Sequence, residues 1–160
     1  MKSGENRRLQ QRIGELKHNP LHCIHRHVSR AARLVAARFD EAFATQGLTA
    51  GQFTTLMTLG NGGPVSISRL AEQLATDPTT VPRVIRPLVQ RGCVTIERGT
   101  DRRVRIVAIS ELGIDRLIDA LPVWERVQAS MLAGLPEDRW PEVRHGIAAL
   151  RHGARPSEEN

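Results

Sequence analysis

The chain contains no tyrosine, and its aromatic side chains amount to Phe39, Phe43, Phe53, Trp124 and Trp140. That scarcity argues against single-strand nucleic-acid binding, which depends on aromatic platforms for stacked bases. Cysteine is scarce as well. Cys23 and Cys93 sit in unrelated settings without a CxxC spacing, so both are expected reduced, and no metal site or cofactor is expected. No apolar run approaches a membrane span, and the first residues lack the apolar segment of a signal peptide; a cytoplasmic protein with no membrane partner is expected. HExxH, a phosphate-cradling glycine loop and a nucleophile elbow are all missing, so the chain does not read as an enzyme. Lysine is nearly absent too: of 23 basic residues only Lys2 and Lys17 are lysines. A GC-rich genome would also raise the arginine total, but it would not decide where the arginines fall.

They fall unevenly. The net charge is +6 and the isoelectric point about 10.8, which favours acidic partners. Residues 66–109 hold eight Arg against four acids, whereas residues 110–160 hold six Arg against nine acids. The basic stretch also has an internal order. Ser66-Ile67-Ser68-Arg69-Leu70-Ala71-Glu72-Gln73-Leu74 reads as a short amphipathic helix with Ile67, Leu70, Ala71 and Leu74 on one face. Ala75-Thr76-Asp77-Pro78 reads as a tight connection, with Asp77 as cap and Pro78 in the first position of a second helix. That helix, Thr79 to Arg91, turns Val81, Ile85 and Leu88 inward and stops at Gly92. Its other side offers Thr79, Thr80, Arg83, Arg86 and Gln90 to phosphates and base edges.

Two β-branched runs follow, Val94-Thr95-Ile96 and Val104 to Ile109, around a polar tip, Arg98-Gly99-Thr100-Asp101-Arg102-Arg103. Gly99 is expected to permit the turn, and the guanidinium groups at the far end suit a narrow, negative minor groove. Helix, turn, helix and basic hairpin together describe a winged helix-turn-helix made for double-stranded DNA.

Around this reader the chain is helical. Apolar residues at Leu21, Ile24, Val28, Ala31, Val35, Phe39 and Ala42 recur in steps of three and four. Thr49-Ala50-Gly51-Gln52 opens a shorter helix with Phe53, Leu56, Met57 and Leu59, ended by Gly60-Asn61-Gly62-Gly63-Pro64. Ser110 caps a long helix that Pro122 is expected to kink, and a last helix carries Trp140, Val143, Ile147 and Leu150. The fold class expected is mostly α with a small β-hairpin wing (α+β). Residues 1–19 are expected as a flexible N-terminal arm, 20–48 and 111–152 as a helical dimerisation region, 49–110 as the winged helix-turn-helix, and 153–160 as a polar tail. The apolar stripes of the terminal helices suit each other and a second subunit. A homodimer would present two readers about one DNA turn (roughly 34–36 Å) apart on a palindromic operator.

Several words in this order resemble the MarR family of dimeric winged-helix regulators. They are Gly47-Leu48-Thr49-Ala50-Gly51-Gln52-Phe53, Ile67 to Leu74, Thr79-Thr80-Val81, Arg91-Gly92, the wing Asp101-Arg102-Arg103, and Ile109-Ser110 with Gly113. Arg86-Pro87-Leu88 and Pro122-Val123-Trp124 resemble one branch of that family. The resemblance spans about Leu21 to Leu150. It implies a homodimer built from the first and last helices, and transcriptional repression relieved by a small-molecule effector or an oxidant. By position it also implies that Thr79, Thr80 and Arg83 face the groove, that Arg103 is the minor-groove arginine, and that Asp101 holds that arginine in pose. Pro82 departs from the family pattern, which has a hydroxyl or small polar residue there: either the helix begins near Thr80, or it is kinked.

Other candidates stand beside the reader. Phe39, Phe43, Phe53 and Met57 mark the candidate ligand pocket, although an ordinary core would use the same residues. The alternative function is a thiol- or metal-based sensor centred on Cys23 with His18, His22, His25 and His27. The absence of tyrosine weighs against oxidant sensing at Cys23, because relatives that sense peroxide orient that thiolate with tyrosines.

Several phosphate contacts per subunit should make affinity for duplex DNA fall steeply with salt, as each contact releases counterions. Titration of a duplex between low and physiological salt checks this. Flat binding, or a preference for single strands, contradicts it.

Overall fold

Hydroxyl side chains start three of the helices. The computed structural model describes residues 2–101, 103–137 and 139–154, so Arg102 and most of the expected polar tail lie outside the described residues. Along the chain run α1 (Lys2–Gly14), α2 (Ile24–Phe43), α3 (Ala50–Gly62), β1 (Val65–Ser66), α4 (Ile67–Gln73), α5 (Val81–Gln90), β2 (Val94–Arg98), β3 (Arg105–Ile109), α6 (Glu111–Leu132) and α7 (Trp140–Gly153). Short 3-10 turns at Pro20–His22 and Ala44–Gln46 flank α2. The class is the expected one: mostly helical, with a small antiparallel sheet. Thr49 and Gln52 form a reciprocal capping box, each side chain accepting the other's backbone N–H at 3.2 and 3.1 Å. Ser66 caps α4 and Ser110 caps α6, accepting N–H groups at 3.1 and 3.0 Å.

Helix ends are as specific as helix starts. At the end of α5, the Cys93 N–H donates to Leu88 C=O and the Gly92 N–H to Val89 C=O, both at 2.9 Å, with Gly92 at φ 73°. This is a Schellman stop on a left-handed glycine. The same pattern ends α4, where Thr76 N–H reaches Ala71 C=O and Ala75 N–H reaches Glu72 C=O. Here the left-handed residue is Ala75, at φ 50°, which costs about 1–2 kcal/mol relative to a right-handed conformation. The turn between α4 and α5 therefore keeps its shape against an intrinsic preference.

One core joins α2 to α6 with the sheet. Phe43 from α2, Leu56 and Leu59 from α3, Leu70 from α4, Val81, Ile85 and Leu88 from α5, Val94 and Val107 from the sheet, and Ala120 from α6 are almost wholly buried. Helix α3 lies centrally and touches α2, α5, α6 and β3. Strand order is β1-β3-β2, with Val94 opposite Ile109 and Arg98 opposite Arg105. The β2–β3 ribbon leaves the core as it extends: Val94 is buried, while Ile96 is 41% exposed.

Three local features differ from the sequence expectation, and α6 is continuous across the proline expected to kink it. Residues 1–19, expected as a flexible arm, contain α1, whose Leu-Gln-Gln-Arg stretch favours helix and whose Arg12 pairs with Glu15 at 2.6 Å. Helix α3 continues through Gly60 and ends at Gly63; a Cβ at Gly60 would stand 3.4 Å from Leu117 of α6, so packing against α6 carries the helix through. Strand β1 was missed because two residues give no periodicity. Helix α6 is one element through Pro122, where the exposed Ile118 leaves the freed carbonyl within reach of water.

Of the described glycines, Gly113 of α6 makes the closest approach, to Cys93 just before β2. A Cβ at Gly113 would lie 2.1 Å from the Cys93 carbonyl oxygen and 2.7 Å from Ile109 Cγ1. Gly113→Ala should therefore destabilise the protein by about 3 kcal/mol, through overpacking against backbone. Gly146→Ala, where nothing lies within 4 Å, should instead stabilise it by about 1 kcal/mol through helix propensity. Denaturant unfolding of both variants checks the pair, and similar effects would contradict the close approach.

Candidate nucleic-acid interface

The entry to α5 is an Asx turn. Asp77 Oδ1 accepts from the Thr79 hydroxyl at 2.6 Å and from the Thr79 N–H at 2.8 Å. These two bonds hold the Asp77 carboxyl below the ordinary value of 3.8, the hydroxyl bond contributing most. Asp77 was expected to cap α5, with Pro78 as its first residue. Instead Thr80 occupies the cap position and Val81 is the first helical residue. Pro82 explains the shift. A proline has no N–H to give, and in the first turn none is needed, so the helix begins where Pro82 fits without loss. Pro87 falls inside the helix and cannot return the usual bond to the Arg83 carbonyl.

The two faces of α5 separate cleanly. Val81, Ile85 and Leu88 are at most 1% exposed, while Thr79, Thr80, Pro82, Arg83, Arg86 and Gln90 are exposed. Thr79, Pro82, Arg83, Arg86, Pro87 and Gln90 border one shallow depression. No acid lies in α5. The four ion pairs among the described residues join Arg12, Arg38, Arg69 and Arg139 to nearby glutamates, and none involves Arg83, Arg86 or Arg103. The guanidinium groups of α5 are thus available to an outside anion.

In the wing, Asp101 Oδ1 accepts from the backbone N–H of Arg103 at 2.9 Å. The resemblance implied that Asp101 orients the Arg103 side chain. Among the described residues there is no Asp101–Arg103 ion pair; the carboxylate, two residues upstream, reaches the amide and shapes the backbone of the tip. The Val104 N–H donates to Asp101 C=O and the Gly99 N–H to Val104 C=O, each at 2.9 Å. These bonds close the turn, and Gly99 is not among the residues at positive φ. The pairing also exposes what sequence reasoning missed. Arg98 and Arg105 stand directly opposite one another and both are exposed. Like charges in that position are mutually destabilising unless an anion lies between them. Only the strand register could have revealed the pair.

The remaining candidates are dispersed or packed. Phe39, Phe43 and Phe53 form a stacked column with centroid spacings of 5.9 and 4.7 Å, extended by Trp124 at 6.4 Å. The rings lie between α2, α3 and α6, and Met57 of α3 is 39% exposed. Cys23 is exposed at the start of α2, and Cys93 is buried. The His27 Nε2–H donates to Leu21 C=O at 3.1 Å, and His25 contacts Ser29 at 3.4 Å. Among the described residues, Cys23 and the histidines supply no group of three placed to hold a metal ion. Nor is any described helix long and apolar enough to cross a membrane.

Comparison with known proteins agrees with this geometry. The family model described as MarR family matches residues 48–104. An uncharacterised HTH-type transcriptional regulator of Bacillus subtilis, YwoH, is 28% identical over 111 residues, covering 69% of this chain and 75% of that protein. Among solved structures, the Mycobacterium tuberculosis transcriptional regulator MosR in complex with DNA is 32% identical. It superposes with a TM-score of 0.76 over 83% of this chain and 96% of that one. A probable transcriptional regulator from Pseudomonas aeruginosa is 27% identical, with a TM-score of 0.73 over 81% and 97%. With its recognition helix, its wing and a solved relative matched along nearly the whole of that relative's length, the chain belongs to the MarR family of winged-helix transcriptional regulators.

Proposed function

We propose that this regulator is a cytoplasmic homodimer that binds a palindromic duplex operator and represses transcription until a small ligand or an oxidant releases it. The observation that carries the reading is the acid-free outer face of α5, with Arg83 and Arg86 unpaired among the described residues. In this reading Thr79, Thr80, Arg83 and Arg86 face the major groove, and Asp101, Arg102 and Arg103 bring the wing to the minor groove. The MosR structure, 32% identical, contains DNA and supports a duplex partner here.

Dimerisation is supported by the apolar surface left outside the core. Ile24, Val28 and Val35 of α2, Ile114, Ile118 and Trp124 of α6, and Trp140, Val143, Ile147 and Leu150 of α7 are all more than a third exposed. So much aliphatic and aromatic surface on three helices calls for a partner. Residues 20–48 and 111–152 then form the dimerisation region and 49–110 the reader, with residues 1–19 as an arm and 153–160 as a tail. Release fits the same arrangement. A ligand inserting at the column of Phe39, Phe43 and Phe53, beside Met57, would displace α6 relative to the reader.

Sedimentation at micromolar concentration should show a dimer; a stable, folded monomer refutes that part. Binding to a selected site and to a scrambled duplex, at matched salt, tests the contacts. Arg103→Ala should weaken binding to all duplexes and reduce any A·T preference beside the core site. Asp101→Ala should do the same more mildly through loss of the tip geometry, although added positive charge alone would tighten binding. Arg83→Ala should lose discrimination at particular positions, by about 1–3 kcal/mol for each bidentate base contact. Unchanged affinity for Arg103→Ala, or tighter binding for Asp101→Ala, removes the wing from the mechanism.

A further inference from the structure

Prolines are poor helix residues, yet α5 has two of them on its outer side. Pro82 is exposed and Pro87 half-buried, and both border the same depression as Thr79, Arg83, Arg86 and Gln90. Pro82 costs the helix nothing, because the first turn has no bond for it to break. Pro87 does break a bond, and its ring is not needed to fill the core, which Val81, Ile85 and Leu88 already complete. A helix that gives up a hydrogen bond to place an apolar ring among Thr79, Arg83, Arg86 and Gln90 calls for an apolar contact there.

We propose that Pro82 and Pro87 read pyrimidine 5-methyl groups in the major groove, so that the operator carries thymine beneath them. The inference rests on the reading of α5 as the major-groove helix. Thymine is marked in that groove by its O4 acceptor and its methyl group, and the methyl is read only by apolar contact. Thr79, Arg83, Arg86 and Gln90 offer hydrogen-bonding groups, so the two rings are the wholly apolar side chains that border the depression. Proline loses no rotamer freedom when it is buried, so the contact forms without the side-chain ordering that a longer residue would require. Pro82 lies in the first turn, the part of a recognition helix that meets base edges. Arg83 and Arg86 flank the rings and have the geometry to take neighbouring guanines through N7 and O6. The proposed operator therefore has thymine next to guanine in each half-site.

The test uses full-length protein and duplexes that the wild type selects from a random-sequence pool. Each thymine in turn is replaced by deoxyuridine, which removes the 5-methyl group and keeps the base pair. At one or more positions per half-site the wild type should bind about fourfold more weakly, the effect of one buried methyl group. The double variant Pro82→Ser/Pro87→Ser should bind the thymine and deoxyuridine duplexes equally. The ratio is taken within each protein, so any change in folding cancels. Indifference of the wild type to every deoxyuridine replacement overturns the inference, and so does a ratio that survives in the double variant. If the wild type also fails to distinguish selected from scrambled duplex, the major-groove reading of α5 falls with it. If it does distinguish them, only the methyl contact falls.

Discussion

A short chain of hydrogen bonds ties the end of the recognition helix to the start of α6, and the orientation of the reader depends on it. The Cys93 N–H closes the Schellman stop on Leu88, and the Cys93 carbonyl accepts from the Ser110 N–H at 3.0 Å. The Ser110 hydroxyl donates to Gly92 C=O at 2.6 Å and accepts the Gly113 N–H at 3.0 Å. Glycine at 113 lets the first turn of α6 come this near, where any Cβ would strike the Cys93 carbonyl. On the other side, the Arg91 guanidinium donates to Gly47 C=O, joining the end of α5 to the link between α2 and α3. With both attachments in place, a displacement of α6 reaches α5 through backbone contacts instead of being absorbed by side chains.

That coupling gives the exposed stripes on α2, α6 and α7 a mechanical meaning. The stripe on α6 belongs to the helix whose first turn Ser110 and Gly113 tie to the end of α5. The aromatic column of Phe39, Phe43, Phe53 and Trp124 lies on the same route, between α2, α3 and α6.

Stability and recognition draw on different residues. The core is aliphatic and aromatic, and the four ion pairs among the described residues are all exposed contacts between residues three apart, away from α5 and the wing. Exposed pairs of this kind contribute about 0–1 kcal/mol each, so the fold does not rest on them. Arg83 and Arg86 of α5 and Arg103 of the wing take no part in those pairs. Their charge is left for the partner, and the opposed Arg98 and Arg105 show the same arrangement in the wing stem.

Local chemistry was legible in the sequence wherever one residue type decides a conformation. Ser110 as a cap, Thr49-Ala50-Gly51-Gln52 as a helix opening, Gly92 as a left-handed stop, and the inward set Val81, Ile85 and Leu88 all follow from side-chain chemistry or helical spacing. The uneven placement of arginine and the order of helix, turn, helix and hairpin were equally open to reading. Tertiary structure decided what depends on competition between partners that are equally near in sequence. Asp77 had both a helix and a turn within reach, and Pro82 moved the helix start so that the turn took the carboxylate. Asp101 had both the amide and the guanidinium of Arg103 in range, and the closed tip placed the amide nearer. Ala75 holds a left-handed conformation that its own preference opposes, because packing of α4 and α5 fixes the turn between them. Strand β1 and the Arg98–Arg105 pair exist only through register, a relation between distant segments that no single stretch of sequence encodes.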